Sequence, residues 1–185
     1  MQIAQSKTRE QFPLSHKKII KKTLANTINC AIFFLLIGGA IIFALGSSGQ
    51  DVRVWIAIAV VGFSCLLLLI FILTYLYQRW YYAVYYYDLT SDFVQIKKGP
   101  ITPREITIPY ERIQDVYVDQ DLLDRIFGLY DVHLSSATAS SGMEAHIDGL
   151  EKEAAQGMRE VLLQTVKERI SKYRGATAPT TNPIS

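Results

Sequence analysis

The chain has 185 residues, half of them hydrophobic, with a formal net charge of +2 and a mean hydropathy of +0.17. That length holds one modest domain beside a membrane anchor and excludes two large folded domains. Eight basic against two acidic residues up to Arg79 leave four net negative charges on the remainder, which excludes nucleic acid as its partner, because polyphosphate binding needs clustered Lys and Arg on the domain itself.

Residues 1–22 read as a basic cytoplasmic segment in which Lys17, Lys18, Lys21 and Lys22 meet the anionic membrane surface. No charged residue falls between Lys22 and Asp51, nor between Arg53 and Arg79. Each stretch exceeds the roughly 20 apolar residues that a membrane-crossing helix needs. A two-helix hairpin is therefore expected within 23–79, with spans over 24–46 and 54–78 and a short turn at Gly46–Asp51. The lysine pairs before the first span outweigh the lone Arg53 of the connector, so the positive-inside rule places both termini in the cytoplasm. Trp55 marks the outer interface, and Tyr75, Tyr77, Trp80, Tyr81 and Tyr82 the inner one. The competing reading, a cleaved signal peptide ending near Ala44-Leu45-Gly46, meets an apolar run longer than the typical signal core of about 7–15 residues. Cys30 and Cys65 would lie on the order of 10 Å apart along the hairpin at the helical rise, too far for a disulfide. Gly38, Gly39 and Gly62 permit close helix contact.

From Tyr81 the pattern alternates with period two. Strands are expected from Tyr81 to Leu89 and over Phe93–Ile96, Glu105–Ile108, Val116–Val118, Asp131–Leu134 and Ala145–Asp148, with turns at Thr90–Asp92 and Gly99–Pro103. Asp121–Leu129 carries Leu122, Leu123, Ile126 and Phe127 at helical spacing and ends at a glycine, which predicts one short helix. Leu150–Tyr173 predicts a long amphipathic helix with Leu150, Ala154, Met158, Val161, Leu162, Val166 and Ile170 on one stripe, Asp148 and Glu151 forming its cap. The soluble domain is thus expected over 80–174, and 175–185 has the small, polar composition of a disordered tail.

Tyr87–Thr90 (YDLT), Gln95–Gly99 (QIKKG), Ile106–Val116 (ITIPYERIQDV), Leu123–Val132 (LDRIFGLYDV) and Ile147–Leu150 (IDGL) follow one another directly after the hairpin. In that order the chain resembles the membrane-flanked bacterial PH-like (pleckstrin-homology-like) domains of the YdbS type. The resemblance implies an α+β fold beside the helical hairpin: an antiparallel two-sheet barrel or sandwich capped by one C-terminal helix. Folds of this kind bind lipids, peptides or other proteins, so the resemblance implies binding without naming the ligand.

Three clusters are candidate sites. Lys97, Lys98 and Arg104 flank the Gly99–Pro103 loop and suit a lipid headgroup. His133 and His146, with Asp131 and Asp148, would share one face of a hairpin turning between Ala139 and Ser140. That face is a weak candidate divalent-metal set and otherwise an ordinary solvated surface. Trp80, Tyr81 and Tyr82 belong to the interfacial belt, with the later tyrosines packing in the sheet. Only three histidines are present, and no phosphate loop, HExxH or Cys/His ligand motif occurs. The reading is a binding module without cofactor, held at the bilayer. Its expected partner is a protein or a second copy, contacted through acidic residues such as Asp115, Asp119, Asp121 and Asp124.

Overall fold

The computed structural model describes residues 6–49, 51, 53–136 and 145–176. They fall into two compact units, one comprising Ile19–Ala83 and the other the chain up to Lys18 together with the chain from Val84.

The first unit holds most of two long helices, α2 (Lys17–Ser47) and α3 (Arg53–Val84). Both are long and apolar enough to cross a membrane. Large apolar side chains such as Leu36, Phe43, Val61 and Leu68 stand exposed around them. That surface suits a hydrocarbon solvent and not water. Between the helices Gly49 takes a left-handed φ of 78°, and Asp51 accepts a hydrogen bond from Arg53 N at 3.1 Å. Gln50 of the expected connector, and Val52 after it, lie outside the described residues. The helix α3 runs through Val84, so Tyr81 and Tyr82 are helical and not the start of a strand. No proline, glycine or capping residue interrupts Arg79–Tyr85, and consecutive aromatics satisfy either period.

In the second unit β1 (Tyr86–Leu89), β2 (Phe93–Lys98) and β3 (Arg104–Pro109) form one antiparallel sheet. A second consists of β4 (Ile113–Asp119), β5 (Leu129–Ser136) and β6 (Ala145–Glu151). The 3-10 turn Tyr110–Arg112 links them, and the helix α5 (Lys152–Ala176) follows β6. Each sheet turns one apolar face inward. Tyr87, Val94, Ile96 and Ile108 come from the first, and Val116, Val132, Leu134, Ala145 and Ile147 from the second. From α5, Ala155, Met158 and Leu162 complete the core, whereas Val161 of the expected stripe is exposed.

Local chemistry sets the turns. Thr90 closes the β1–β2 turn by bonding Phe93 through backbone and hydroxyl. At the β2–β3 turn Gly99 has φ 99°, and a Cβ there would lie 2.5 Å from Thr102 O. Only glycine fits that place. The short helix α4 (Leu122–Phe127) is capped by the Asp121 carboxylate, which accepts from Asp124 N at 2.7 Å, and ends on left-handed Gly128. That element matches its expectation closely. The predicted cap of the long helix does not form. Leu150 and Glu151 pair with Tyr130 and Leu129 and remain in β6, so sheet pairing overrides the local helical signal.

Residues 6–18 are not a separate basic segment. They form a strap on the β domain, beginning with the helix α1 (Lys7–Gln11), whose N-cap is Ser6. The Ser6 hydroxyl lies 2.6 Å from Tyr87 O and 2.9 Å from Asp88 Oδ1, and Thr8 Oγ1 donates to Asp88 Oδ1 at 2.8 Å. The Arg9 guanidinium donates to Tyr85 O at 2.7 Å, and the Tyr87 hydroxyl donates to Phe12 O. Further along, Leu14 bridges to Leu150 and Ser15 N donates to Gly149 O at 2.9 Å. The strap therefore runs from β1 to β6, which are edge strands of their respective sheets, and supplies partners to groups such edges leave open.

Candidate functional site

The buried pair at the end of the strap overturns one surface expectation. Lys18 Nζ lies 2.8 Å from Asp148 Oδ1, with the two side chains 4% and 9% exposed. The ammonium also stands 4.0 Å from the centre of the Tyr85 ring. Lys18 is thus an interior ion-pair residue and not a membrane-surface contact, and Lys21 is buried too. Lys17 remains exposed, 3.6 Å from Glu151, and Lys22 is half-buried. Trp80 is exposed, while Tyr81 and Tyr82 are half-buried on α3.

A bulge in β6 explains how Asp148 reaches Lys18. His133 pairs with His146, Val132 with Ile147 and Leu134 with Ala145, as the alternation requires. Past Val132 the register shifts, leaving Asp148 and Gly149 together opposite Asp131. Gly149 takes φ 84° and its N–H donates to Asp131 Oδ1 at 2.8 Å. Asp148 turns inward as a result. The expected surface of two histidines and two aspartates therefore does not assemble, and the described residues contain no group of three or more metal-ligating side chains. The expected turn at Ala139–Ser140 lies outside the described residues.

What the second sheet does present is a row of stacked rings. Tyr117 and His133 lie 4.9 Å apart with planes 4° from parallel, and His133 and His146 lie 5.4 Å apart at 23°. Asp119 Oδ1 lies 3.1 Å from His133 Nε2. In stacked rings the ring nitrogens lie in parallel planes and do not converge on one point. Of the four expected acidic contacts, Asp115, Asp119 and Asp121 are exposed, whereas Asp124 is fully buried.

The basic hairpin tip is partly neutralised. Lys97 stands opposite Glu105, with Nζ 3.2 Å from Oε2, and Lys98 stands opposite Arg104. Between them Ile101 is 69% exposed.

Electrostatics tie the strap and helix α5 to the first sheet. Burial pushes the Asp88 carboxyl up, but hydrogen bonds from Thr8 and Ser6 outweigh it and hold it below the usual carboxylate range. Burial raises the Tyr110 hydroxyl to about 12 despite the nearby Arg169. Its hydroxyl donates to Thr90 O at 2.9 Å. Asp92 is held low by the Ser91 hydroxyl and by Arg169, whose Nη2 lies 2.9 Å away.

Residues 30–166 match the family model described as bacterial PH domain. The chain belongs to that family. No curated protein and no solved structure matches it. The bacterial PH domain match takes in most of the helical pair, both sheets and the first part of α5, and the strap precedes it. The strap is what sequence reasoning missed. Two glycines lie against it. A Cβ at Gly149 would lie 2.6 Å from Lys18 Cδ, and one at Gly157 would lie 2.8 Å from Phe12 Cε1.

Proposed function

We propose that this bacterial PH domain protein is a membrane-anchored binding module that recognises or assembles with another protein at the cytoplasmic face. One observation carries the anchoring geometry. Residues up to Lys18 and residues from Val84 belong to one folded unit, and a bilayer cannot divide a unit whose buried ion pair and hydrogen bonds join the two stretches. The intervening α2 and α3 then cross as a hairpin with both termini on one side. The exposed Lys17 and the half-buried Lys22 support the cytoplasmic side. The opposed apolar faces of the two sheets, with α5 packed among them, support a PH-like barrel or sandwich.

Binding fits this unit better than catalysis. The described polar clusters offer stacked rings and ion pairs, not a nucleophile with a base and an orienting group. A protein partner is favoured over lipid because Lys97 faces Glu105 while Asp115, Asp119 and Asp121 stand exposed. A second reading has its own support: exposed Ile101 between Lys98 and Arg104 suits an anionic bilayer surface. Cross-linking and recovery from native membranes, with the intact chain and with one lacking 81–173, separates the two. The protein reading expects a stoichiometric partner that disappears with the deletion. Recovery of lipid alone, lost on K97E/K98E/R104E, establishes the lipid reading instead.

A further inference from the structure

We propose that Lys18, Tyr85 and Asp148 form a clamp that couples the two apolar helices to the β domain, so that a change in the spacing of the helix ends opens or closes contacts along the strap and β6. The inference goes beyond the binding reading and holds whatever ligand the domain takes. It starts from the way the chain enters and leaves the domain. Lys18 lies in the first turn of α2, and Tyr85 directly follows the last residue of α3. Both are buried, and both belong to the unit that holds the sheets. A domain that is merely anchored can hang from flexible linkers. Here neither junction has one.

The two junctions meet at one ammonium. Lys18 Nζ stands 4.0 Å from the centre of the Tyr85 ring and 2.8 Å from Asp148 Oδ1. Other bonds spread outward from that point. The Tyr85 hydroxyl donates to His146 O at 3.1 Å, and Tyr85 O accepts from the Arg9 guanidinium at 2.7 Å. Ser15 N donates to Gly149 O at 2.9 Å, and the Ser15 hydroxyl lies 3.1 Å from Glu151 Oε1. The left-handed Gly149 makes the seat, since a Cβ there would lie 2.6 Å from Lys18 Cδ. The strap, the first turn of α2, the residue after α3 and the β6 bulge therefore share one cluster.

Such a cluster switches instead of bending. A hydrogen bond is lost beyond about 3.5 Å, and close-packed side chains answer small displacements by changing state, not by deforming smoothly. A relative shift of the two junctions by about 1–2 Å, ordinary for helices at packed interfaces, takes the ammonium out of reach of Asp148. Linkage makes the effect reciprocal, so a ligand that alters β6 also alters the helices.

The test reconstitutes the full chain in nanodiscs of dimyristoyl- or dierucoyl-phosphatidylcholine, which share a headgroup and differ in thickness. Helices answer such a mismatch by tilting. Amide hydrogen exchange is read at Ser15 and Gly149, beside the clamp, and at Val94 and Ile96 in the middle strand of the first sheet. The proposal expects exchange at Ser15 and Gly149 to differ by about tenfold between the two bilayers, with Val94 and Ile96 unchanged. A flexible Gly/Ser linker inserted between Val84 and Tyr85 should abolish the difference. Equal exchange in the two bilayers overturns the proposal. A difference that extends to Val94 and Ile96 also overturns it, because the whole domain is then losing stability. So does a difference that persists with the linker, which marks direct contact with lipid. Should the linker variant not fold, the wild-type pattern decides alone.

Discussion

Lys18 lies in the first turn of α2 and Asp148 lies in β6, beyond α3, yet their charged groups meet at 2.8 Å in the interior of one unit. Removing one partner of a buried pair costs about 3–5 kcal/mol. K18A and D148A should each destabilise the second unit by that order in denaturant unfolding. K18M/D148L, which replaces both charges with apolar groups, should recover most of the loss.

Gly157 offers a sharper comparison. In an exposed helix Gly→Ala gains about 1 kcal/mol, but here the new Cβ would meet the Phe12 ring at 2.8 Å. G157A should destabilise the full chain by about 1–3 kcal/mol through overpacking. In an F12A background the same change should become neutral or stabilising. A double-mutant cycle measured by thermal unfolding reads the sign reversal.

Asp88 couples the strap to pH. Its carboxyl is lower in the folded state than in the unfolded chain, so the stabilisation it provides is complete above the unfolded value of about 3.9. That stabilisation disappears as pH falls through the lower folded value. The wild-type unfolding temperature should therefore drop more steeply below about pH 4 than that of D88N, in which Asn cannot titrate. Parallel curves would remove Asp88 from the acid response.

At the β2–β3 hairpin, a charge and a glycine should behave oppositely. Lys97 and Glu105 are 43% and 49% exposed, and such pairs contribute about 0–1 kcal/mol. E105Q should hardly move stability. G99A forces a left-handed φ on alanine and a Cβ to 2.5 Å from Thr102 O, so a loss of about 1–3 kcal/mol is expected.

The hairpin topology is checked by sidedness. With Cys30 and Cys65 replaced by Ser, single cysteines at Lys7 and Lys167 should react with an impermeant maleimide from the same side of sealed vesicles. Labelling from opposite sides would sink the two-span arrangement.

The elements legible in the sequence were those with a dominant local cause. Unbroken apolar runs announced α2 and α3. Asp121 and Gly128 bracketed α4, and alternation fixed the His133–His146 register. What escaped depended on distant partners. Leu150 looks helical by spacing but is held in β6 by Tyr130 and Leu14. Lys18 looks like a surface cation because nothing near it in sequence shows the carboxylate waiting in β6. Asp148 looked like a helix cap or a metal ligand because a bulge at Gly149, not the alternation, decides which way it points. The strap itself has too few apolar residues for any period, and its specificity comes from hydroxyl and guanidinium bonds to Tyr85, Tyr87 and Asp88.

The strap also fixes an order of events at the ribosome. Synthesis runs from the N-terminus, so residues 6–18 emerge first, and their seats on β1 and β6 are made only after both apolar helices have been produced. The strap reaches those seats only after the chain beyond α3 has been made, so the domain closes last. A soluble fragment cut from Val84 onward would lack Lys18, whose ammonium meets Asp148 at 2.8 Å. Such a fragment needs residues 6–18 spliced back to it before it represents the folded unit.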